Sequence, residues 1–221
     1  MTARDFFRKY SFVPPLTVLA TNLISSFLTR IFTSGGHIYD IVTAWDKSIP
    51  FIPEFIHVYF LAFVQWAICL IAIMVIDREK CWYYCLAASF GNLLSGVVFL
   101  AFPTVMTIRP EFSGGGALTE FIGKFLFSAD NPPMNIFPSL HCLHSWACMR
   151  MIFALRRVPV SLKAVNAVFS VLVFLSVLFV KQHLLFDVPT GIIAFEAGLL
   201  ITKLSGADKK LSNLETRLLS R

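Results

Sequence analysis

Charge is what this sequence has least of. Of its 221 residues only 14% are Asp, Glu, Lys or Arg, where a soluble domain averages about 25%. Acids are the scarcer sign, 13 against 19 bases. In place of charge stand 57% hydrophobic residues, 23 Phe among them, and a mean hydropathy of +0.72. A soluble domain averages about 45–50% apolar, so the chain reads as an integral membrane protein. No internal repeat is visible, which excludes repeat architectures. No basic patch interleaved with aromatics argues for nucleic acid as a partner. The basic N-terminus is followed by an apolar run too long for a signal peptide, with no small-residue cleavage site. Cys69, Cys81, Cys85, Cys142 and Cys148 have no metal-ligand company and read as small apolar residues of helices. Gly114, Gly115 and Gly116 lack the Lys-Ser or Lys-Thr and the preceding strand of a P-loop, and read as a flexible flank.

What is present is a set of apolar runs of the length, about 20 residues, that crosses a hydrocarbon core of roughly 30 Å. Six are expected, at about 12–33, 54–76, 81–102, 138–155, 164–181 and 184–203. The fold class is therefore all-α: one six-helix membrane domain over residues 1–221, with an interfacial segment at 1–11 (Phe6 and Phe7 inward) and a short tail at 204–221. The fourth run, PSLHCLHSWACMRMIFAL, is polar enough that it must face protein or a water-filled cavity. Of the 19 Lys and Arg, 14 fall on the side of the termini; Arg30, Lys47, Arg109, Lys124 and Lys181 fall on the other. The positive-inside rule then puts both termini in the cytoplasm and the 33–53 and 103–137 loops outside. Net charge of +6 is read the same way, as topology and contact with anionic lipid. A compact chain without sorting signals suits a bacterial plasma membrane.

Three segments bring polar groups to the outer ends of these helices: FPTVMTIRPEF (102–112), NIFPSLHCLHS (135–145) and SVLFVKQHLLFDVPTG (176–191). Arg109, His141, His183 and Asp187 are their chemically capable members. His183 and Asp187, at i and i+4, are expected on one helix face, where the carboxylate fixes one imidazole nitrogen and leaves the other as a nucleophile. His141, with an ordinary pKa of roughly 6.5, can protonate a leaving group near neutrality. Arg109 offers a fork matched to phosphate oxygens. Ser139 stands at a helix start, whose N–H groups suit an anion, and Lys181 adds a second positive charge. Such an assembly fits phosphoryl transfer. Metal ligation by His141, His144, His183 and Asp187 is the competing reading, opposed by Arg109 and Lys181.

PSLH (138–141), Ser176 followed by His183 and Asp187, and Arg109-Pro110 together make a pattern that resembles the type 2 phosphatidic acid phosphatase superfamily. The resemblance covers essentially the whole chain and implies a six-helix bundle acting on a lipid phosphate without metal or organic cofactor. It implies that His183 attacks phosphorus to give a phosphohistidine, that Asp187 orients it, and that His141 protonates the leaving oxygen. His144, Ser176 and Pro110 are expected to support the site from beside it. Two positions depart from the pattern: Phe102 stands where the family has Lys, and Val177 where Arg follows Ser. With WDKSIPFIPEFIHVY (45–59) and FVKQH, the chain looks like the branch related to inositol phosphorylceramide synthases, in which a lipid hydroxyl can accept the phosphoryl group. Hydrolysis of a lipid-linked phosphate or diphosphate is the expected activity. Head-group transfer to a lipid hydroxyl is the alternative, and a non-catalytic membrane transporter or binding protein on the same fold is a third. Asn92, Ser95 and Gly96 read as helix-packing residues, His37 and His57 as loop or interfacial residues, and Glu196 as a paired or protonated carboxyl whose partner the sequence does not give.

Overall fold

A computed structural model describes residues 10–33 and 37–220. Most of the interfacial segment expected at 1–11, including Phe6 and Phe7, lies outside the described residues. Helix α1 (Val13–Leu23) opens with prolines in its first turn, where a missing N–H costs nothing. It runs through a π-helical turn (Ile24–Leu28) into α2 (Thr29–Thr33). There follow α3 (Ala44–Ser48), a 3-10 turn (Pro53–Phe55) leading into α4 (Ile56–Ile76), α5 (Arg78–Ala101), α6 (Ala117–Ala129), α7 (Leu140–Ala154), α8 (Val160–Phe179), α9 (Asp187–Ser205) and α10 (Ala207–Ser220). Strands β1 (Tyr39–Asp40) and β2 (Thr104–Val105) pair in parallel, and Val105 bridges to Met134. Three connecting segments are thereby laced into a cap over one end of the bundle.

Among the described residues, five stretches are long and apolar enough to cross a membrane: Val13–Phe32, Pro53–Ile76, Arg78–Ala101, Val160–Phe179 and Asp187–Ser205. Helix α7 occupies the place expected for a further span but has 15 residues, reaching roughly 22 Å at the α-helical rise. The expected boundaries shift at its neighbours. Helix α8 starts directly after Pro159 rather than at 164, and α9 starts at Asp187 rather than 184. The expected 103–137 loop contains α6, whose 13 residues are too few to span. Thr119 and Gly123 face the bundle while Leu118, Phe121 and Phe125 are exposed, so α6 presents an apolar face suited to a membrane interface.

Small and polar residues set the helix crossings, as they do where the surroundings are as apolar as the helices. Gly198 brings α9 against α5 so closely that a Cβ there would lie 2.0 Å from the Ala87 carbonyl oxygen. Between α1 and α5, Asn92 Nδ2 donates to the Val18 carbonyl (3.2 Å) and to Thr21 Oγ1 (3.1 Å), and Ser25 Oγ donates to the Asn92 carbonyl (2.6 Å). Gln65 joins α4 to α8 through Ser170 (2.8 Å), and Ser170 in turn reaches the Ser145 carbonyl of α7 (3.0 Å). Glu196 also finds its partners: Trp146 Nε1 donates to Oε1 at 2.7 Å and Arg150 Nε lies 3.2 Å away. All five cysteines are buried and free.

Candidate active site

In the turn between α8 and α9 one carbonyl takes two donors. Val177 O accepts from both Gln182 N (2.9 Å) and His183 N (3.0 Å), while Lys181 turns the chain with φ +53°. His183 therefore sits in the turn, not on a helix face with Asp187 as the spacing suggested. Asp187 is the first residue of α9, where its carboxylate accepts the Leu184 N–H (2.7 Å). The two residues still meet, His183 Nδ1 lying 3.3 Å from Asp187 Oδ2. Its shorter contact is to the Ile136 carbonyl oxygen at 2.7 Å. A carbonyl only accepts, so Nδ1 carries a proton, and in the neutral ring the lone pair is on Nε2. No protein group among the described residues bonds Nε2.

His141, in the first turn of α7, is stacked on Tyr59 at 4.4 Å between centroids and 28° between planes, and its ring lies 5.8 Å from that of His183. Its Nε2 is buried without a partner. Ser139 caps the same helix by accepting the Cys142 N–H (3.2 Å), and its own N–H donates to the Asp187 carbonyl (3.1 Å). This joint needs Gly191 in α9, since a Cβ there would stand 2.3 Å from the Ser139 carbonyl oxygen. His144 turns toward α1 instead, its Nε2 2.8 Å from Asn22 Nδ2. The four residues of the metal alternative do not converge, and among the described residues no three His, Cys, Asp or Glu are placed to hold an ion.

Arg109 lies behind this pair. Its guanidinium donates to the Asp130 carbonyl oxygen (Nη1, 2.8 Å) and to Asp130 Oδ2 (Nη2, 2.7 Å), and stacks over Phe127 at 4.4 Å. Arg30, from α2, reaches Asp130 Oδ1 at 2.9 Å. The Gln182 amide fits between them, donating to Asp130 Oδ2 (3.2 Å) and accepting from Arg109 Nη2 (2.9 Å). Lys181, expected beside the phosphate, is placed otherwise: its ammonium donates to the Asp46 (2.9 Å) and Ile49 (2.6 Å) carbonyls. It does not line the cavity. Burial lowers its pKa and the Asp46 charge opposes that shift. Of the residues expected to support the site, Ser176 is buried with its hydroxyl on the Val173 carbonyl (2.8 Å), and Pro110 is exposed. Neither borders the cavity.

A cavity of about 320 Å³ is bordered by Arg30, Asp130, Gln182, His141 and His183 and, on its apolar wall, by Tyr59, Phe63 and Trp66; Arg109, Ser139 and Asp187 stand behind these residues and do not border it. A larger cleft of about 580 Å³ between α4 and α8 contains no histidine, acid or base. Arg30, Asp130, Gln182 and Tyr59 were not expected as site residues. For Arg30 a signal existed, because it shares its end of the bundle with Arg109; Asp130 and Gln182 reach the cavity only through the folding of loops. An imidazole with a free nitrogen, a second imidazole across a small cavity, and the Arg30 guanidinium at its edge are parts that could serve attack on a tetrahedral anion. No protein-family model, curated protein or solved structure matches this chain.

Proposed function

We propose that this protein is a membrane-embedded phosphoryl-transfer enzyme of the type 2 phosphatidic acid phosphatase kind, hydrolysing a lipid-linked phosphate or diphosphate. One observation carries the reading. His183 is held as the Nδ1–H tautomer by the Ile136 carbonyl and Asp187, so that Nε2 is presented as a nucleophile on the cavity that His141 also borders.

In this mechanism Nε2 of His183 forms a bond to phosphorus as the bond from phosphorus to the lipid oxygen breaks. The leaving oxygen takes its proton from His141. Asp187 and the Ile136 carbonyl stabilise the positive charge that develops on the His183 ring. Water then attacks phosphorus with its proton passing to His141, the P–N bond breaks, and both histidines return to their starting state. The bundle crosses the membrane six times with both termini in the cytoplasm, consistent with the 14 to 5 division of Lys and Arg. Helix α7 serves as the fourth crossing although short, because its start lies beneath the cap of connecting segments. The site then opens on the extracytoplasmic side.

A second reading is head-group transfer to a lipid hydroxyl. It is favoured by the aromatic wall of Tyr59, Phe63 and Trp66, which accommodates an apolar acceptor as readily as water. The deciding experiment is rapid-quench trapping of acid-labile phosphoprotein from purified full-length protein given phosphatidate or a polyprenyl diphosphate. Label on wild type and none on His183→Ala is expected. Label that survives in His183→Ala removes the mechanism. Release of inorganic phosphate without an acceptor selects hydrolysis, and product formed only with an added lipid alcohol selects transfer.

A further inference from the structure

Two arginines from distant parts of the chain close on one carboxylate at the cavity wall. Arg30 Nη1 and Arg109 Nη2 hold the two oxygens of Asp130 at 2.9 and 2.7 Å, and the Gln182 amide completes the ring. Asp130, Arg30 and Gln182 border the same cavity as His141 and His183. Asp130 ends α6 as its C-cap residue, and its side chain keeps 28% of its surface exposed, so solvent reaches it. Neither position at which the chain departs from the family pattern offers a cation. Phe102 stacks on Tyr39 (4.4 Å), and Val177 is fully buried in an apolar cluster. Among the described residues, Arg30 is the cation that borders the cavity in their stead.

We propose that Arg30 is a phosphate-binding residue of this site, and that Asp130 is an internal anion which the substrate's phosphate displaces from Arg30 and Arg109. The inference rests on the phosphoryl-transfer reading and adds two residues to it. Two guanidinium groups facing one carboxylate leave a positive excess. A phosphate brings more charge than a carboxylate and three non-bridging oxygens in place of two, so it answers both forks more fully. Displacement leaves Arg30 still tied to the segment after α6 through its bond to the Pro132 carbonyl, so the guanidinium stays in place to receive the phosphate. Any substrate must therefore outcompete an aspartate already in place, which favours phosphate groups with at least two unesterified oxygens.

Binding of inorganic phosphate to the full-length protein in detergent micelles, followed by equilibrium dialysis with labelled phosphate, tests this without relying on turnover. Asp130→Asn should tighten phosphate about tenfold, and Arg30→Gln should weaken it by about the same factor, the scale of one charge-assisted hydrogen bond. The decisive comparison is made in the Asp130→Asn background. There the clamp is already cut, so a further loss on Arg30→Gln means contact with phosphate itself. Arg30→Lys should recover part of the affinity. Affinity indifferent to Arg30 in that background overturns the proposal and makes the Arg30–Asp130 pair a structural tie, whatever the melting temperatures of the variants. Wild type that forms phosphoprotein while phosphate ignores both residues likewise sinks this inference and spares the enzyme. The expected binding pattern with no phosphoprotein supports the anion site and sinks the enzyme.

Discussion

Two clusters of a carboxylate held by arginine stand at opposite ends of the bundle, and they are built for different purposes. At the end that carries the termini, Glu215 of α10 accepts from Ser11 (2.7 and 2.6 Å), Arg78 (2.8 Å) and Trp82 (2.9 Å). At the cavity end, Asp130 takes Arg30 and Arg109. Glu215 ties the last helix to the start of α5 and to the segment ahead of α1, with no histidine bonded to it among the described residues. Around Asp130 the polar groups are incompletely satisfied: Arg109 Nε, Asn135 Oδ1, His141 Nε2 and Asp187 Oδ1 are buried with no partner. Buried polar atoms are almost always bonded; of these exceptions Asn135 and His141 border the cavity, while Gln65 Oε1, Asn92 Oδ1 and Asn166 Nδ2 are likewise unpaired within the helix packing. One cluster finishes a fold. The other borders the cavity that His141 and His183 share.

The hardest test of that contrast is to remove a group at the cavity end whose visible part in the fold is ring packing, against Tyr59, Phe63 and Trp66. His141 makes no hydrogen bond through Nε2, and its ring is held by stacking on Tyr59. His141→Asn should lower kcat by roughly 10²–10⁴, the range of a general acid, with little change in melting temperature. The deficit should shrink on a substrate whose leaving group is a weak base and needs no proton. Equal losses on good and poor leaving groups would show that His141 only shapes the cavity.

Next in size is Gly191→Ala, which attacks the joint between α9 and the start of α7. The added methyl would stand 2.3 Å from a backbone oxygen, so the backbone must move. Overpacking of this kind costs about 1–3 kcal/mol. Because Ser139 also bonds the Asp187 carbonyl, activity per folded molecule should fall with stability. Glu215→Ala should do the opposite: about 1–3 kcal/mol of stability lost with the buried acceptor, and kcat per folded molecule unchanged. Thermal unfolding and turnover measured on the same preparations separate the two. If Glu215→Ala also removes activity, the two ends of the bundle are coupled and the contrast fails.

How much of this was legible beforehand varies residue by residue. The apolar runs located the long helices because membrane length is a property of composition. Partnership of His183 with Asp187 was legible from spacing, but the helical face was not, since a turn that ends at the first residue of a helix has the same separation. The closer partner of Nδ1, the Ile136 carbonyl, lies 47 positions away and leaves no mark in the local sequence. Lys181 looked like a phosphate ligand because it is a base near a histidine; the reversal at φ +53° sends its ammonium to the 43–49 loop instead. Asp130 was silent for a related reason. It is one acid at the end of α6, and only the course of the chain through Asp130 and Pro132 brings it to Arg30. Helix α6 itself was hidden inside a loop because its 13 residues are too few for a spanning signal.

The smallest expected effect concerns Asp46, a carboxylate at the cavity end that is satisfied as fully as Glu215. Its Oδ1 accepts the Leu185 N–H (2.7 Å), its Oδ2 accepts the Thr43 N–H (2.8 Å) and the Thr43 hydroxyl, and its backbone carbonyl receives Lys181. These bonds pin the turn that carries His183 against the preceding loop. Burial pushes the Asp46 pKa up, but the Leu185 and Thr43 bonds and the Lys181 charge outweigh it, leaving the carboxyl below its ordinary 3.8. A folded-state pKa depressed below the unfolded value means the ionised group stabilises the fold in full above the ordinary value. That contribution is lost as pH falls from there through the folded pKa. Asp46→Asn should therefore cost about 1 kcal/mol, or roughly 2–4 °C. The gap to wild type should stay constant at neutral pH and close below about pH 4. Turnover should fall modestly in kcat rather than KM, because the carboxylate positions the turn and touches no substrate. A gap that persists unchanged into strong acid would mean that the amide fails for lack of fit rather than of charge, and that the turn is held by Lys181 alone.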